Sequence, residues 1–165
     1  MNIYDFAMQM EQEGEAFYRD MADQTADPGV QRILNALADD EVKHYNIVKQ
    51  MKEEAAVPQM DDTVILASAK NVFAQMQGQS LDAASLVRAG PQVEVYRQAQ
   101  ELERQSRAFY QEKASEVSQP AHRELLQRIA KEEDKHYILL DHMIEFVSRP
   151  QTWIEDAEFT HLEEY

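Results

Sequence analysis

The chain has no cysteine. That rules out disulfides, thiolate zinc ribbons and iron–sulfur clusters held on cysteine, and it suits a reducing, cytoplasmic setting. Glycine and proline are scarce, at 4 and 5 of 165 residues, while Ala, Glu, Gln, Leu and Met are plentiful, a balance that favours helices. No apolar run is long enough to span a membrane, and the N-terminus enters an amphipathic pattern at once, without the basic and apolar regions of a signal peptide. Positive charge is also short: 16 Lys and Arg stand against 31 Asp and Glu, a net charge of −15. Phosphate binding needs a basic face, and none is clustered here, so nucleic acid is excluded as a partner. An acidic exterior is first a solvated surface, and second a means of concentrating cations.

What is present is a repeated stripe. Leu34, Leu37, Glu41, His44, Val48 and Met51 recur at alternating spacings of three and four, which places them along one narrow face of a helix. The same stripe returns as Leu126, Ile129, Glu133, His136, Leu140 and Met143, shifted by 92 positions throughout. The same shift aligns Ala7–Tyr45 with Ala99–Tyr137 without a gap, pairing Glu11 with Glu103, Phe17 with Phe109, Tyr18 with Tyr110 and Lys43 with Lys135. The chain reads as two copies of one helical hairpin.

Taken in order, helix one is expected from Ile3 to about Gln24, with Ala7, Glu11, Gly14, Tyr18 and Met21 inward, Phe6, Met10 and Phe17 widening the face, and Glu13 and Glu15 outside it. Gly14 is expected to leave space beside Glu11. Asp27-Pro28-Gly29 is a compact turn signal, and helix two follows over about Val30–Ala55. Residues 56–92 form a connection with two short helices, Thr63–Met76 and Leu81–Ala89, the second capped by Ser80 and stopped at Gly90-Pro91. It is long enough to cross a bundle, and is expected to carry the chain to a second hairpin of the same polarity as the first. Helix three is expected over about Gln92–Glu116, Pro120 in the next turn, and helix four over about Ala121–Ser148, closed by Pro150. One domain is expected: a four-helix bundle over residues 1–149 and a tail over 150–165. Trp153, Ile154, Phe159 and Tyr165, with a Thr152/Glu155 capping box, fit a tail that packs back on the bundle or on a second subunit of a homodimer.

Two such hairpins bring Glu11, Glu41, His44, Glu103, Glu133 and His136 toward one level of the core. Single Glu residues on two helices and Glu-x-x-His on the other two make the ligand set of a di-iron or di-manganese carboxylate bundle. Four buried carboxylates without counter-ions are strongly unfavourable, and two divalent metals neutralise them with both histidines neutral. Oxygen donors with two imidazoles suit Fe or Mn. Any one of the six residues alone reads as a solvated or satisfied polar group. Three in-register positions, each occurring twice, do not. Tyr18 and Tyr110, one heptad after Glu11 and Glu103, are expected either to hydrogen-bond the carboxylates or to serve as ordinary amphipathic packing. His122 and His142 lack a partner in the pattern and default to structure or surface, and Glu158-x-x-His161, without a repeat mate, reads as an exposed pair.

The runs Met10-Glu11-Gln12-Glu13-Gly14-Glu15-Ala16-Phe17-Tyr18, Asp40-Glu41-Val42-Lys43-His44 and Glu132-Glu133-Asp134-Lys135-His136 resemble the ferritin-like di-iron domain of the rubrerythrin family, over nearly the whole chain. The tail resembles that of stand-alone members. The resemblance implies two Fe ions bridged by Glu41 and Glu133, with Glu11 and Glu103 as terminal carboxylates and one histidine, His44 or His136, on each metal. It implies reduction of hydrogen peroxide in oxidative-stress defence, with oxidation of Fe(II) by oxygen in some relatives. A metal-stabilised interaction bundle without turnover is the third reading. Rubrerythrins proper carry a four-cysteine rubredoxin domain, so here the electron donor is expected to be a separate protein such as a rubredoxin. They also carry an extra Glu one turn after the helix-three ligand. Here that position is Ser106, which makes the ligand set symmetric and similar to that of bacterioferritins.

Overall fold

The computed structural model describes residues 2–54, 57–77 and 90–148. Helix α1, Ile3–Gln24, begins at Asn2, whose side chain accepts the Asp5 N–H at 2.9 Å. Helix α2, Pro28–Glu53, begins at Asp27, which accepts the Val30 N–H at 2.9 Å. Asp27-Pro28-Gly29 is therefore a capped helix start, not a free turn. Proline sits comfortably in a first turn because the N–H it lacks has no intrahelical acceptor there. The same physics puts Pro120 at the first position of its helix instead of in the preceding turn. Glu54, in the left-handed conformation at φ 52°, ends α2.

Helix α3, Ile65–Gln77, lies within the connection, close to the expected span. It packs against the start of α2 so closely that a Cβ on Gly29 would sit 2.8 Å from Met76 Sδ and 3.1 Å from Val72 Cγ1. Gly29 is the residue that lets α3 approach. Helix α4 runs Gly90–Glu116 and α5 Pro120–Ser148. Gly90 and Pro91 thus open α4. The expected Leu81–Ala89 helix, Pro150 and the tail from Gln151 to Tyr165, with Trp153 and His161, lie outside the described residues.

The second hairpin does not share the polarity of the first. Tyr18 of α1 meets Glu103 of α4, and Glu11 meets Tyr110, so α1 and α4 are antiparallel. Helices α2 and α4 then run the same way, and a parallel pair cannot be joined by a tight turn. The long crossover exists for that reason; equal polarity of the hairpins would have needed only a short loop. The repeat becomes a two-fold relation across the bundle, in which a contact made by one hairpin is made again with the partners exchanged.

The apolar core is in two parts. One gathers Tyr18, Leu34, Leu37, Phe73, Tyr96, Leu139 and Leu140 with α3; the other gathers Ala7, Val48, Met51, Tyr110, Leu126 and Ile129. Leu34, Leu37, Val48, Ile129, Leu139 and Leu140 are fully inaccessible, each contributing about 1.5–3 kcal/mol by burial. Between the two clusters lies a polar layer: Glu11, Glu41, His44, Glu103, Glu133 and His136, all at most 4 % exposed. The apolar clusters offset what this layer costs. Among the described residues, no helix is long and apolar enough to cross a membrane.

Candidate metal centre

The six acidic and imidazole residues singled out by the repeat meet in this layer, in two groups of four: Glu11, Glu41, His44 and Glu133 in one, Glu41, Glu103, Glu133 and His136 in the other. Glu41 and Glu133 belong to both. His44 Nδ1 faces Glu133 Oε1 at 3.5 Å, Glu11 Oε2 at 3.6 Å and Glu41 Oε2 at 3.8 Å. His136 Nδ1 faces Glu41 Oε1 at 3.3 Å, Glu133 Oε2 at 3.3 Å and Glu103 Oε1 at 3.5 Å. Each shared carboxylate therefore turns one oxygen toward each histidine. A cation about 2.1 Å from every donor leaves neighbouring donors roughly 3–4 Å apart, and the spacing here fits it. His44 Nδ1, His136 Nδ1 and Glu133 Oε2 are buried without a hydrogen-bond partner, which such a cation supplies.

The outer atoms are already committed. His44 Nε2 meets Glu132 Oε2 at 2.8 Å and His136 Nε2 meets Asp40 Oδ2 at 2.9 Å. A carboxylate behind each imidazole favours the proton on Nε2, so that the neutral ring turns its Nδ1 lone pair toward the centre. Tyr18 donates to Glu103 and Tyr110 donates to Glu11, so the expected tyrosine contacts form, each across to the other hairpin. Ser106 donates to Glu133 Oε1 at 2.9 Å. Its repeat mate Gly14 does leave space, though beside Glu41: a Cβ there would stand 3.4 Å from Glu41 Cδ.

Thr63, at the threshold of α3, ties the histidine-orienting carboxylates together. Its N–H donates to Glu132 Oε1 at 2.8 Å and its hydroxyl donates to Asp40 Oδ2. Lys43 Nζ stands 2.6 Å from Glu132 Oε2 and also donates to the Asp61 carbonyl at 3.2 Å. Arg128 holds the Met60 carbonyl at 2.5 Å and Asp62 Oδ1 at 2.9 Å. The crossover is thus strapped over the α2/α5 face at the level of the site.

Asp40, Glu132 and Thr63 are the residues that reasoning from the stripe missed. Asp40 and Glu132 lie one position before each Glu-x-x-His, about 100° off the inward face, and bond to the neighbouring helix instead. The signal was available, for these two also share the 92-residue shift. Thr63 has no repeat mate, so no pattern marked it. His122, expected to be structural, is buried and meets the Tyr4 hydroxyl through Nδ1 at 3.1 Å; His142 is half-buried on α5.

The electrostatics are those of a site that holds protons where a cation would sit. Burial, reinforced by the charges of Glu133 and Glu41, pushes the Glu11 carboxyl well above its usual range. Burial and Glu133 push Glu103 to about 8, against the opposing pull of His136. Burial disfavours the charged forms of His44 and His136, but Glu133 beside the first and Glu103 beside the second outweigh it and raise both. Glu133 is driven the other way: burial raises it, and the two imidazoles, His44 first, bring it well below the usual range. Burial and the adjoining carboxylates keep Tyr18 and Tyr110 protonated as donors.

No curated protein and no solved structure matches the chain significantly. The family model described as Rubrerythrin matches residues 2–144, most of the chain and both halves of the carboxylate and histidine cluster, and on that match the protein belongs to the rubrerythrin family.

Proposed function

We propose that the protein is a non-haem di-iron oxidoreductase that reduces hydrogen peroxide, with Glu11, Glu41, His44, Glu103, Glu133 and His136 as the metal ligands. The observation that carries this reading is the division of Glu41 and Glu133, each with one oxygen toward each histidine, the arrangement two adjacent cations need. Two ferrous ions, when bound, supply two electrons and Lewis acidity for cleaving an O–O bond. The chain's own residues do the rest. The shared carboxylates set the separation, and Asp40 and Glu132 aim the imidazoles. Tyr18 and Tyr110 hold the terminal carboxylates and place hydroxyl protons beside the site. The apolar clusters above and below exclude water from the two ends of the layer. Because all four terminal donors are held from behind, iron is better read as a resident cofactor than as a passing substrate.

The net charge of −15 supports a second reading, a ferroxidase that gathers Fe(II) at an acidic surface. Manganese suits the same donors. The test is to load the protein anaerobically with Fe(II), count metals per chain and follow ferric absorption after mixing with hydrogen peroxide or with oxygen. Two irons oxidised much faster by peroxide support the peroxidase. Faster oxidation by oxygen with continuing Fe(II) uptake supports the ferroxidase, and fewer than two specifically held metals sinks both. On this reading electrons for turnover come from a separate donor protein such as a rubredoxin.

A further inference from the structure

A cavity of about 500 Å³ lies between α1 and α4 and reaches the same carboxylates from the side opposite the crossover. Its floor includes Gly14 and Ser106 beside the carboxylates, its apolar walls include Phe6, Leu102 and Phe109, and exposed polar side chains such as Arg104 form its rim. Hydrogen peroxide, two oxygen atoms, needs roughly twice the ~30 Å³ that a water takes in the liquid. The cavity is several times larger, and falls in the ~300–1,000 Å³ range of sites for small organic molecules. Its shape is that of such a site: apolar walls, a polar rim and a few convergent polar groups at the end. Phe6 and Leu102 stand 47 % and 45 % exposed at its mouth, and the Phe6 and Phe109 rings lie 5.0 Å apart along one wall. Among the described residues, the one cation that lines it, Arg104, is bound to Glu101 at 2.6 and 2.8 Å and is not free to draw in a small anion.

We propose that this cavity receives the organic part of an alkyl or aryl hydroperoxide, delivering its O–O end to the floor between Gly14 and Ser106, so that organic hydroperoxides are preferred over hydrogen peroxide. This rests on the peroxide-reducing reading above. The floor demands that the occupant carry the reacting group, and the walls demand that the remainder be apolar. The reaction balances as ROOH plus two electrons and two protons giving ROH and H2O: the O–O bond breaks, one oxygen leaves as the alcohol and the other as water. The electrons come one from each ferrous ion and are restored by the separate donor protein.

The experiment compares iron-loaded protein with the Leu102→Glu variant, which puts a charge on the wall at an exposed helix position. Two readouts are taken: kcat/KM for cumene hydroperoxide and for hydrogen peroxide with a chemical reductant, and calorimetric binding of cumyl alcohol, which cannot be reduced, to metal-free protein. The expected result is a wild-type preference for cumene hydroperoxide, together with alcohol binding. In Leu102→Glu, at unchanged helicity and metal content, both the preference and the alcohol affinity fall about tenfold or more, the usual size for one lost apolar contact. Reduction of hydrogen peroxide without reduction of cumene hydroperoxide overturns the proposal and leaves the peroxidase standing. Absence of alcohol binding, as when a second copy or the tail fills the groove, also overturns it. Turnover of neither peroxide sinks the peroxidase reading and this proposal with it.

Discussion

The two open sides of the bundle treat the same cluster in opposite ways. On the α2/α5 side every atom behind the site is engaged: Asp40 and Glu132 hold the imidazoles, Thr63 joins those two carboxylates, and Lys43 and Arg128 hold down the crossover. On the α1/α4 side the residues of the repeat are small, Gly14 and Ser106, and a cavity runs to them from solvent. The hairpin repeat alone would make the two hairpins alike; it cannot make these two faces alike, because each face is formed by a different pair of helices. On the proposed function this contrast is a division of labour, in which one face would hold the metals and the other would admit what reacts with them. Substitutions on the first face should alter metal retention, and substitutions on the second should alter access.

The largest effect belongs to the residues common to both groups of four. Glu133→Ala removes an oxygen from each histidine's group at once, so both metals should go together and the count per chain should fall from two to well below one. Retention of a single tightly held iron would show that the groups are independent. Acidification comes next. Glu103, at about 8 in the metal-free protein, and Glu11, His44 and His136, all raised, must lose protons for a cation to bind. A group with a raised pKa holds its proton below that value, so metal affinity falls as pH drops through 8, by about tenfold per unit for each proton displaced. Chelator competition between pH 8 and 6 measures the slope. A flat profile would mean that the apo cluster holds no such protons.

Substitutions behind the imidazoles test the holding face directly. Asp40→Asn and Glu132→Gln each remove a charge-assisted bond to one histidine, and each should weaken metal binding by about 10–100-fold while leaving the α1/α4 cavity untouched. Equal losses in the two variants would show that the two-fold relation extends to the energetics. Thr63→Val should cost less, about 1 kcal/mol or roughly fivefold in metal affinity, because the backbone N–H to Glu132 survives and, of the two bonds the hydroxyl makes, only the one to Asp40 bears on a histidine, the other being accepted from the Ile65 N–H at 3.2 Å. Thr63→Ser should restore the affinity. A Thr63→Val protein with unchanged metal affinity and a lower metal-free melting temperature would make the strap structural only.

These residues also mark where the sequence was legible. Glu11, Glu41, His44, Glu103, Glu133 and His136 stood out because each occupies an inward position that packing would otherwise give to an apolar side chain, and because the shift of 92 repeats the anomaly. Fold class followed from the same periodicity, as did the span of every described helix to within two residues, the helix starts at Pro28, Gly90 and Pro120 lying one or two residues before the expected ones. The sense of the second hairpin was misread because side-chain periodicity is the same in either direction along a helix. Only contacts between helices, Tyr18 with Glu103 and Tyr110 with Glu11, carry that information. Thr63 was invisible for a further reason: its role depends on where the crossover lands, and that is set by tertiary packing of α3 against Gly29 and the first turn of α2.

Gly14→Ala is the smallest change and the sharpest probe of the difference between the faces. In a helix interior, alanine is favoured over glycine by about 1 kcal/mol, and the added Cβ would meet Glu41 Cδ at 3.4 Å and Oε2 at 3.5 Å, ordinary contact distances. The variant should therefore melt a few degrees higher and still hold two metals, since no donor is lost and none need move. The methyl group nevertheless occupies the floor of the α1/α4 cavity next to a shared carboxylate, where an entering molecule must arrive. Oxidation of the ferrous protein by a peroxide should slow while metal count and chelator resistance stay at the wild-type level. Thermal melting, metal analysis and stopped-flow oxidation on one preparation decide the matter. Loss of metal would place Gly14 with the holding face, through pressure on Glu41, whereas slower oxidation at full metal content would separate entry from retention with a single carbon atom.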